Sequence, residues 1–223
     1  MITTIIAAHM GSKRLPGKTL MEIAGKTCLE HVVEAAKGLN PVVATYADSI
    51  NQPIWTLCED RGIPCYVHQG DGYDVLARFL GALEWHRPTD SWCLRITPDC
   101  PMLTYEMVMH FWYRMDFKKN TIYTNRPMDN DGFDMEIFPV DALRRAHEHA
   151  TDVLEREHCT QWMYRHLNVK RSSIFSYAVG HPEPEEKLSV DTIEEYNRVK
   201  ELMEGGHEFS FGETRITDLR TGT

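Results

Sequence analysis

The chain has 223 residues, of which 42% are hydrophobic and 26% are charged, and 24 Lys and Arg against 33 Asp and Glu give it a formal net charge of −9. These values exclude a disordered or collagen-like chain and predict one domain with a sizeable core. The acidic balance argues against a broad surface for nucleic acid, and no apolar run approaches the roughly 18–20 residues of a membrane helix.

The first half of the chain alternates between apolar runs rich in β-branched residues and segments in which apolar residues recur at helical spacing. This pattern predicts strands over residues 2–8, 41–46, 63–67 and 92–97. It predicts helices over residues 27–37, 54–61, 75–86 and 105–115. The Gly-, Pro- and Lys-rich residues 10–20 are predicted to form a loop. Strands that alternate with helices indicate a parallel sheet with helices on both faces.

The second half departs from this alternation from about residue 120. Strands are predicted over residues 121–124, 133–138, 174–179 and 188–190, and helices over residues 140–149, 152–166 and 193–203. We expect one domain over residues 1–204, with an accessory segment at about 120–179, followed by a polar tail over 205–223. The fold class predicted is α/β, a three-layer α/β/α sandwich with a mostly parallel, Rossmann-like sheet. Ligands of such sheets bind beyond the carboxyl ends of the strands.

The six cysteines lie far apart and form no C-x-x-C pair. This spacing argues against a zinc ribbon and against a disulfide scaffold. The N-terminal residues have neither a basic segment nor a long apolar run, so they do not resemble a signal peptide. The sequence therefore predicts a cytoplasmic protein.

A basic loop follows the first predicted strand, and its residues 11–19 read GSKRLPGKT. Glycines allow a ligand to approach the backbone, and Lys and Arg donate charge-assisted hydrogen bonds to phosphate oxygens. The loop is not a Walker A motif, because five residues rather than four separate Gly11 from Gly17. From position and composition the loop is either a phosphate-binding loop or an exposed basic loop.

Residues 10–20, MGSKRLPGKTL, resemble the signature G-S-x-R-L-P-G-K-x-L of the cytidylyltransferases that make CMP-activated sugars. Five later segments resemble motifs of the same enzymes in the same order: 74–78 (DVLAR), 95–101 (RITPDCP), 132–138 (GFDMEIF), 155–160 (EREHCT) and 188–192 (LSVDT). The chain is most similar to the spore coat polysaccharide biosynthesis protein F family, which is related to the CMP-Kdo and CMP-acylneuraminate synthetases. Three positions depart from the pattern, since His9 replaces a common Arg, Pro98 a Gly and Ile193 a Pro.

The resemblance implies the nucleotide-diphospho-sugar transferase fold and a CTP-dependent cytidylyltransferase. Such an enzyme uses Mg²⁺ to transfer CMP from CTP to a hydroxyl of a sugar or sugar acid, releases pyrophosphate and serves surface polysaccharide biosynthesis. It also implies a homodimer with its contact at about residues 130–170, and no nucleic-acid or membrane partner is expected. The alternatives are a nucleotidyltransferase for sugar 1-phosphates or other phosphorylated acceptors, and a catalytically silent nucleotide- or sugar-binding module.

The resemblance also implies roles for individual residues. The residues implied for nucleotide binding are Ala8, Met10, Gly11, Ser12, Arg14, Lys18, Asp74, Arg78 and Arg95. The residues implied for catalysis are Arg14, Lys18, Asp99 and His158, and those for the metal are Asp99 and Asp191. The residues implied for the acceptor are Asp134, Glu136, Glu157 and His158.

Chemistry alone leaves other roles open for several of these residues. Asp99 and Asp191 follow predicted strands, where they could hold Mg²⁺ or act as turn and helix-capping aspartates. Arg78 could form a surface pair with Asp74 four residues earlier on a helix. Arg95, on a buried strand, could pair with a carboxylate or reach the substrate.

The predicted acceptor residues have alternatives of the same kind. Asp134 and Glu136 share one face of a strand, because side chains two residues apart point the same way. They could bind sugar hydroxyls or a second metal, or they could form a solvated strand face. His158 could orient or deprotonate the acceptor hydroxyl, or it could be a packing histidine.

Overall fold

The computed structural model describes residues 1–70, 72–174 and 186–206. In chain order its strands are β1 (Ile2–Ala7), β2 (Glu22–Ile23), β3 (Lys26–Thr27), β4 (Pro41–Tyr46), β5 (Cys65–His68), β6 (Trp92–Ile96), β7 (Thr121–Thr124), β8 (Glu136–Pro139) and β9 (Asn168–Arg171). Its helices are α1 (Cys28–Ala35), α2 (Gln52–Arg61), α3 (Val75–His86), α4 (Tyr105–Tyr113), α5 (Val140–His149), α6 (Val153–Glu157), α7 (Gln161–His166) and α8 (Ile193–Glu204).

Seven of these strands form one sheet in the order β5-β4-β1-β6-β8-β7-β9, and β2 and β3 form a separate hairpin. Strands β5, β4, β1 and β6 pair in parallel, β8 runs antiparallel to β6 and β7, and β9 is parallel to β7. The parallel strands place their carboxyl ends at one edge of the sheet. The predicted α/β class with a mostly parallel sheet is confirmed.

Apolar side chains from both faces of the sheet form two hydrophobic cores, one under each helix layer. One core joins Ile2 and Ile6 of β1 to side chains of α1, α2, α4 and α8. The other joins Ile5 of the same strand to side chains of α3, α5 and α7. Because successive strand residues point to opposite faces, one apolar strand serves both cores. This arrangement is the predicted three-layer sandwich.

Several predicted elements have the observed limits, and local capping explains one of them. The strands predicted over 41–46 and 121–124 and the helices predicted over 75–86 and 140–149 are β4, β7, α3 and α5. The Asp74 carboxylate accepts a hydrogen bond from the amide of Ala77 at 2.9 Å and so fixes the start of α3. Of the described residues, none belongs to a helix long and apolar enough to cross a membrane.

The single helix predicted over residues 152–166 is wrong, because the chain turns between α6 and α7. His158 ends α6, and its amide still donates to the carbonyl of Leu154 at 2.9 Å. Cys159 and Thr160 are buried, and the Thr160 hydroxyl donates to the Glu136 carboxylate at 3.2 Å. A tertiary hydrogen bond of this kind is invisible to helical spacing.

The strand predicted over 188–190 is also wrong, because this segment forms no ladder. The Leu188 amide donates to the carbonyl of Asp131 at 2.7 Å, and the Val190 amide donates to the carbonyl of Asp99 at 2.8 Å. The segment therefore joins two different loops.

Other limits differ by a few residues or lie outside the described part of the chain. The strand predicted over 133–138 begins only at Glu136, because the Met135 amide donates to the Asn125 side chain at 2.8 Å. The hairpin β2–β3 and the strand β9 were not predicted. Of the strand predicted over 174–179, residues 175–179 lie outside the described residues, as does the predicted tail from residue 207 onwards.

Candidate active site

A crevice of about 600 Å³ opens at the carboxyl ends of β1, β4 and β6. It is lined by the basic loop after β1, by Tyr46 at the end of β4 and by Thr97, Pro98 and Asp99 after β6. The start of α3, the end of α6 and Asp191 complete its walls. This is the edge at which α/β sheets bind ligands.

Asp99 and Asp191 meet across this crevice at the ammonium group of Lys18. Lys18 Nζ lies 2.9 Å from Asp99 Oδ2, 2.7 Å from Asp191 Oδ1 and 2.8 Å from the carbonyl oxygen of Val190. The lysine is buried, and 173 sequence positions separate it from Asp191. The structure thus brings together the three residues that the sequence motifs placed at the centre of the chemistry.

Mutual charge stabilisation keeps all three groups ionised in this centre. Burial disfavours the charged form of Lys18, but the two carboxylates outweigh it and raise the pKa of the lysine. Burial likewise disfavours the Asp99 carboxylate, yet Lys18 holds its pKa below the usual range. The pKa of Asp191 falls to about 2, because hydrogen bonds from Lys18 and Lys187 outweigh its burial.

Further cations surround Asp191, which does not cap the following helix. Arg14 Nη2 lies 2.8 Å from Asp191 Oδ1, and Lys187 Nζ lies 2.7 Å from Asp191 Oδ2. The N-cap of α8 is Thr192, whose hydroxyl accepts the amide of Glu195 in a capping box. The alternative of Asp191 as a helix cap is therefore wrong, and its carboxylate faces the crevice.

Hydrogen bonds to backbone atoms of the basic loop hold it in shape. The Met10 amide donates to Asn51 Oδ1 at 2.8 Å, and the Thr19 hydroxyl donates to the carbonyl of His9 at 2.8 Å. The Gly17 amide donates a hydrogen bond to the carbonyl of Met10 at 3.0 Å. Gly17 has a φ of 78°, a backbone conformation that favours glycine. Between these anchors Gly11, Ser12, Lys13 and Arg14 line the crevice.

Arg78 on α3 points into the same crevice from a buried position. Its residue is only 2% exposed, and within the described chain its Nε and Nη1 atoms have no hydrogen-bond partner. The guanidinium carbon lies 4.1 Å from the centre of the Tyr46 ring. Burial lowers the pKa of Arg78. Donors buried without partners are costly, so this side chain fits an anionic or acceptor-rich ligand.

The alternative of a surface pair between Arg78 and Asp74 is wrong. Asp74 accepts hydrogen bonds from Nε and Nη2 of Arg156 at 2.9 and 2.6 Å while it caps α3. Neither Asp74 nor the fully buried Ala8 is among the side chains that line the crevice. Ala8 donates its amide to the carbonyl of Ala44 at 3.0 Å and so joins the loop to β4.

Arg95 lines the crevice and pairs with Glu136. The predicted alternative in which Arg95 pairs with a carboxylate is therefore confirmed. Arg95 Nη1 lies 2.7 Å from Glu136 Oε2, and the Glu136 side chain is 3% exposed. Burial acts to lower the pKa of Arg95, but Glu136 outweighs it and raises that pKa above its ordinary value. The Glu136 carboxylate also accepts hydrogen bonds from the hydroxyls of Tyr164 and Thr160. The alternative in which Glu136 belongs to a solvated strand face is therefore wrong.

Asp134 lies beside this pair but outside β8. Its Oδ2 atom is 3.3 Å from Nε of Arg126, and its side chain is 14% exposed. Burial raises the pKa of Asp134 to about 6, even though Arg126 acts in the opposite direction. This carboxyl group is neither on the crevice wall nor part of a solvated face.

Glu157 and His158 form the rim of the crevice at the end of α6. Both side chains are exposed and both line the crevice. His158 is therefore not a packing histidine. Its side chain lines the crevice, where a bound substrate could reach it.

The comparisons with known proteins agree with this geometry. A family model described as cytidylyltransferase matches residues 3–216. The chain belongs to the cytidylyltransferase family. It is therefore a CTP-dependent nucleotidyltransferase.

Three relatives of this cytidylyltransferase are similar to it over most of its length or over about half of it. An uncharacterised protein of Methanocaldococcus jannaschii, MJ1063, is 30% identical over 91% of this chain and 83% of its own. The spore coat polysaccharide biosynthesis protein SpsF of Bacillus subtilis is 26% identical over 91% of this chain and 86% of its own. The 3-deoxy-manno-octulosonate cytidylyltransferase of Bartonella bacilliformis is 34% identical over 45% of this chain and 42% of its own.

A solved cytidylyltransferase from Leptospira borgpetersenii shares the fold. It has a TM-score of 0.77 and 24% identity, and the alignment covers 98% of this chain and 92% of that structure. The likeness at this identity concerns the fold alone.

The motifs of the sequence missed several side chains that this cytidylyltransferase places in its crevice. Tyr46 and Tyr73 line it and lie outside the motifs, whereas Lys13 and Thr97 line it and lie within motifs without an assigned role. His9 also lines it, and the sequence showed it only as a departure from an Arg. Burial, followed by the charges of Arg78 and Lys18, lowers the pKa of His9. The rule that ligands bind beyond strand ends could have found Tyr46, because it ends the predicted strand next to β1.

Proposed function

We propose that this cytidylyltransferase transfers CMP from CTP to a hydroxyl of a sugar or sugar acid in a Mg²⁺-dependent reaction that releases pyrophosphate. The observation that carries the proposal is the meeting of Lys18, Asp99 and Asp191 at the carboxyl end of the sheet, beside a basic loop. Nucleotidyl transfer needs cations for the triphosphate and carboxylates for a divalent ion in one place.

The two aspartates fit a magnesium ion that arrives with the nucleotide. Within residues 1–70, 72–174 and 186–206, no three His, Cys, Asp or Glu side chains form a metal cluster. Two carboxylates, Asp99 and Asp191, are nevertheless the usual protein contribution where phosphate oxygens and water complete the shell of Mg²⁺. When bound there, the ion would offset the negative charge of the α-phosphate.

The chain's own cations would bind the leaving group. Arg14 and Lys18 line the crevice and would bind the β- and γ-phosphates, and Gly11 and Ser12 would let the triphosphate approach the backbone. Lys18 already donates to Asp99, Asp191 and the Val190 carbonyl, so it would exchange one of these acceptors for a phosphate oxygen. The charge that develops on pyrophosphate as its bond to the α-phosphorus breaks would then be stabilised by Arg14 and Lys18.

The acceptor hydroxyl would attack from the side of His158. The oxygen forms a bond to the α-phosphorus as the bond to pyrophosphate breaks, and His158 takes the hydroxyl proton. Glu157 lies next to His158 on the crevice wall, where it can bind other hydroxyls of the acceptor. Arg78 and Tyr46 remain for the nucleoside side of CTP, since they lie on the wall formed by β4 and α3.

The names of the relatives support a sugar-derived acceptor. One relative is named for polysaccharide biosynthesis and another for 3-deoxy-manno-octulosonate, a sugar acid. We therefore propose a role in the synthesis of a surface polysaccharide, by a homodimer that uses the 130–170 segment as its contact.

Pyrophosphate release tests the proposal directly. The purified chain is incubated with Mg²⁺, each of the four nucleoside triphosphates and a panel of sugars, sugar acids and sugar 1-phosphates. Release with CTP and a sugar or sugar acid supports the proposal, and release only with a sugar 1-phosphate overturns its acceptor class. A chain that binds no nucleotide at all is a silent module.

An Asp99→Asn variant tests the role of the acidic centre. It should lower turnover by at least about 100-fold, because one of two metal-binding carboxylates loses its charge. Asp141→Asn is the matched control, since its side chain is 76% exposed on α5 and away from the crevice. Equal activity of the two variants would contradict the assigned centre.

A further inference from the structure

Glu136 stands at the centre of a buried network that joins two walls of the crevice. Its carboxylate accepts hydrogen bonds from Arg95 Nη1 at 2.7 Å, from the Tyr164 hydroxyl at 2.5 Å and from the Thr160 hydroxyl at 3.2 Å. Arg95 comes from β6, whereas Thr160 and Tyr164 come from the start and the body of α7. With its side chain 3% exposed and both oxygens engaged, Glu136 is not presented to a bound substrate.

The register of the sheet explains why Glu136 selects Arg95. The two residues are direct partners in the antiparallel pair β6–β8, so their side chains leave the sheet on the same face. Arg95 is partly exposed and lines the crevice, whereas Glu136 lies behind it. The carboxylate thus fixes one end of a guanidinium whose side chain lines the crevice.

The same carboxylate also anchors the turn that carries His158. Thr160 begins α7 two residues after His158, and Tyr164 lies one turn further along that helix. Both hydroxyls donate to Glu136 Oε1. One buried group therefore sets the positions of a crevice-lining arginine and of the turn at the crevice rim.

We propose that Glu136 is a positioning residue for CTP binding, acting through Arg95, rather than a group that contacts the acceptor. This inference rests on the proposed function, because it takes CTP as the ligand of the crevice. Removing the charge of Glu136 leaves Arg95 partly buried beside a neutral group. The arginine then moves toward water, and its donors no longer meet the nucleotide.

A double-mutant cycle on CTP affinity tests the proposal. Glu136→Gln and Arg95→Met are made singly and together in the full chain, and CTP binding with Mg²⁺ is measured by calorimetry and scaled to the folded fraction. Each single variant should weaken CTP binding about 10-fold, and the double variant should be no weaker than Arg95→Met alone. A structural role would lower the folded fraction but leave the affinity of the folded protein unchanged.

Glu30→Gln is the matched control, because Glu30 also accepts bonds from an arginine, Arg61, and from a threonine, Thr27. It lies on α1 outside the crevice, so its CTP affinity should equal that of the wild type. Should Glu136→Gln fail to fold, Tyr164→Phe removes one anchor and keeps the charge pair. Tyr164→Phe should weaken CTP binding about threefold when Arg95 is present. The same substitution made in the Arg95→Met variant should not weaken CTP binding further.

The outcomes separate this inference from the proposed function. Wild-type protein that binds no CTP overturns both. Wild-type protein that binds CTP, with Glu136→Gln or Tyr164→Phe of wild-type affinity, overturns the positioning role alone. Losses that add in the double variant also overturn it, because they show that Glu136 does not act through Arg95.

Discussion

Arg78 places a positive charge in the core with two donors unpaired among the described residues. Its neighbour Tyr46 offers the face of a ring and no compensating negative charge. Such an arrangement lowers stability in the free protein and is relieved when a ligand supplies acceptors. Arg78 should therefore lower the stability of the free protein while it strengthens ligand binding.

We expect Arg78→Met to stabilise the free protein and to weaken CTP binding. Methionine fills a similar volume without buried donors, so the free energy of unfolding should rise by about 1–3 kcal/mol. CTP affinity should fall at least about 10-fold, since the charged donors are lost. Urea unfolding and calorimetry measure the two effects. A less stable variant with unchanged CTP affinity would show that Arg78 has a structural role.

Asp134 predicts a dependence of stability on pH with a sign opposite to that of a carboxylate whose pKa is lowered in the fold, because burial outweighs its pair with Arg126. Its pKa in the fold is about 6, above the ordinary 3.8, so the fold favours the protonated form. Stability from this group is complete below about pH 4 and is lost as the pH rises through 6. Asp134→Asn should thus unfold like the wild type at pH 4 but be about 1–3 kcal/mol more stable at pH 8.

Urea unfolding at the two pH values measures this difference. Asp141→Asn, at an exposed position on α5, should show no such difference. A gain that is equal at both pH values would mean that the benefit of Asp134→Asn does not come from its ionisation.

At the scale of elements, the start of α8 fixes the position of Asp191. Thr192 and Glu195 form a capping box, and the Glu195 carboxylate also accepts the amide of Asp191 at 2.8 Å. The helix start and the acidic centre therefore share one hydrogen-bonded unit. A substitution in this capping box should therefore also lower turnover.

We expect Thr192→Ala to lower stability by about 1 kcal/mol and to lower turnover as well. Thr27→Ala removes the equivalent threonine from the capping box of α1, where no acidic centre follows. It should cost the same stability and leave the specific activity of the folded protein unchanged. Denaturant unfolding and pyrophosphate release compare the pair, and equal activities would separate the cap of α8 from the site.

Elements with local signals were predictable, and elements made by tertiary contacts were not. The Asp74 cap and the apolar spacing that follows gave α3 its limits, and β4 is a short run that contains the β-branched residues Val42, Val43 and Thr45. The break between α6 and α7 depends on Thr160 meeting Glu136, which is 24 positions away. The strand predicted over 188–190 has strand-like residues, but its amides bond to two separate loops.

The same division holds for the candidate site. Motif resemblance selected Lys18, Asp99 and Asp191, which the structure brings together. It also placed Glu136 at the acceptor, because alternation along a strand identifies a shared face but not what lies on that face. The partners of Glu136 come from α7 and from the turn before it, so spacing within one strand carries no information about them.

At the scale of the whole molecule, the acidic centre depends on a close contact between distant loops. Gly132 has a φ of 121°, and a Cβ atom there would lie 2.3 Å from the carbonyl carbon of Leu188. The adjacent Asp131 carbonyl accepts the Leu188 amide at 2.7 Å. Leu188 is three residues before Asp191. The absence of a side chain at Gly132 thus allows the final segment to bring its aspartate to Lys18.

Gly132→Ala should therefore separate the two halves of the centre. The added methyl group meets backbone, which must shift, and the displaced segment moves Asp191 away from Lys18. We expect a loss of stability of about 2–4 kcal/mol and a fall in turnover of at least about 100-fold. Unfolding experiments and pyrophosphate release, scaled to the folded fraction, measure the two losses.

Gly62→Ala distinguishes steric displacement from backbone strain. Gly62 also has a positive φ, 65°, but nothing lies within 4 Å of a Cβ atom built there. It ends α2 away from the crevice, so the variant should cost about 1 kcal/mol of stability and leave turnover unchanged. If Gly132→Ala behaved in the same way, the loop contact would be a structural detail. A selective loss of turnover in Gly132→Ala would show that the acidic centre is set by this distant contact.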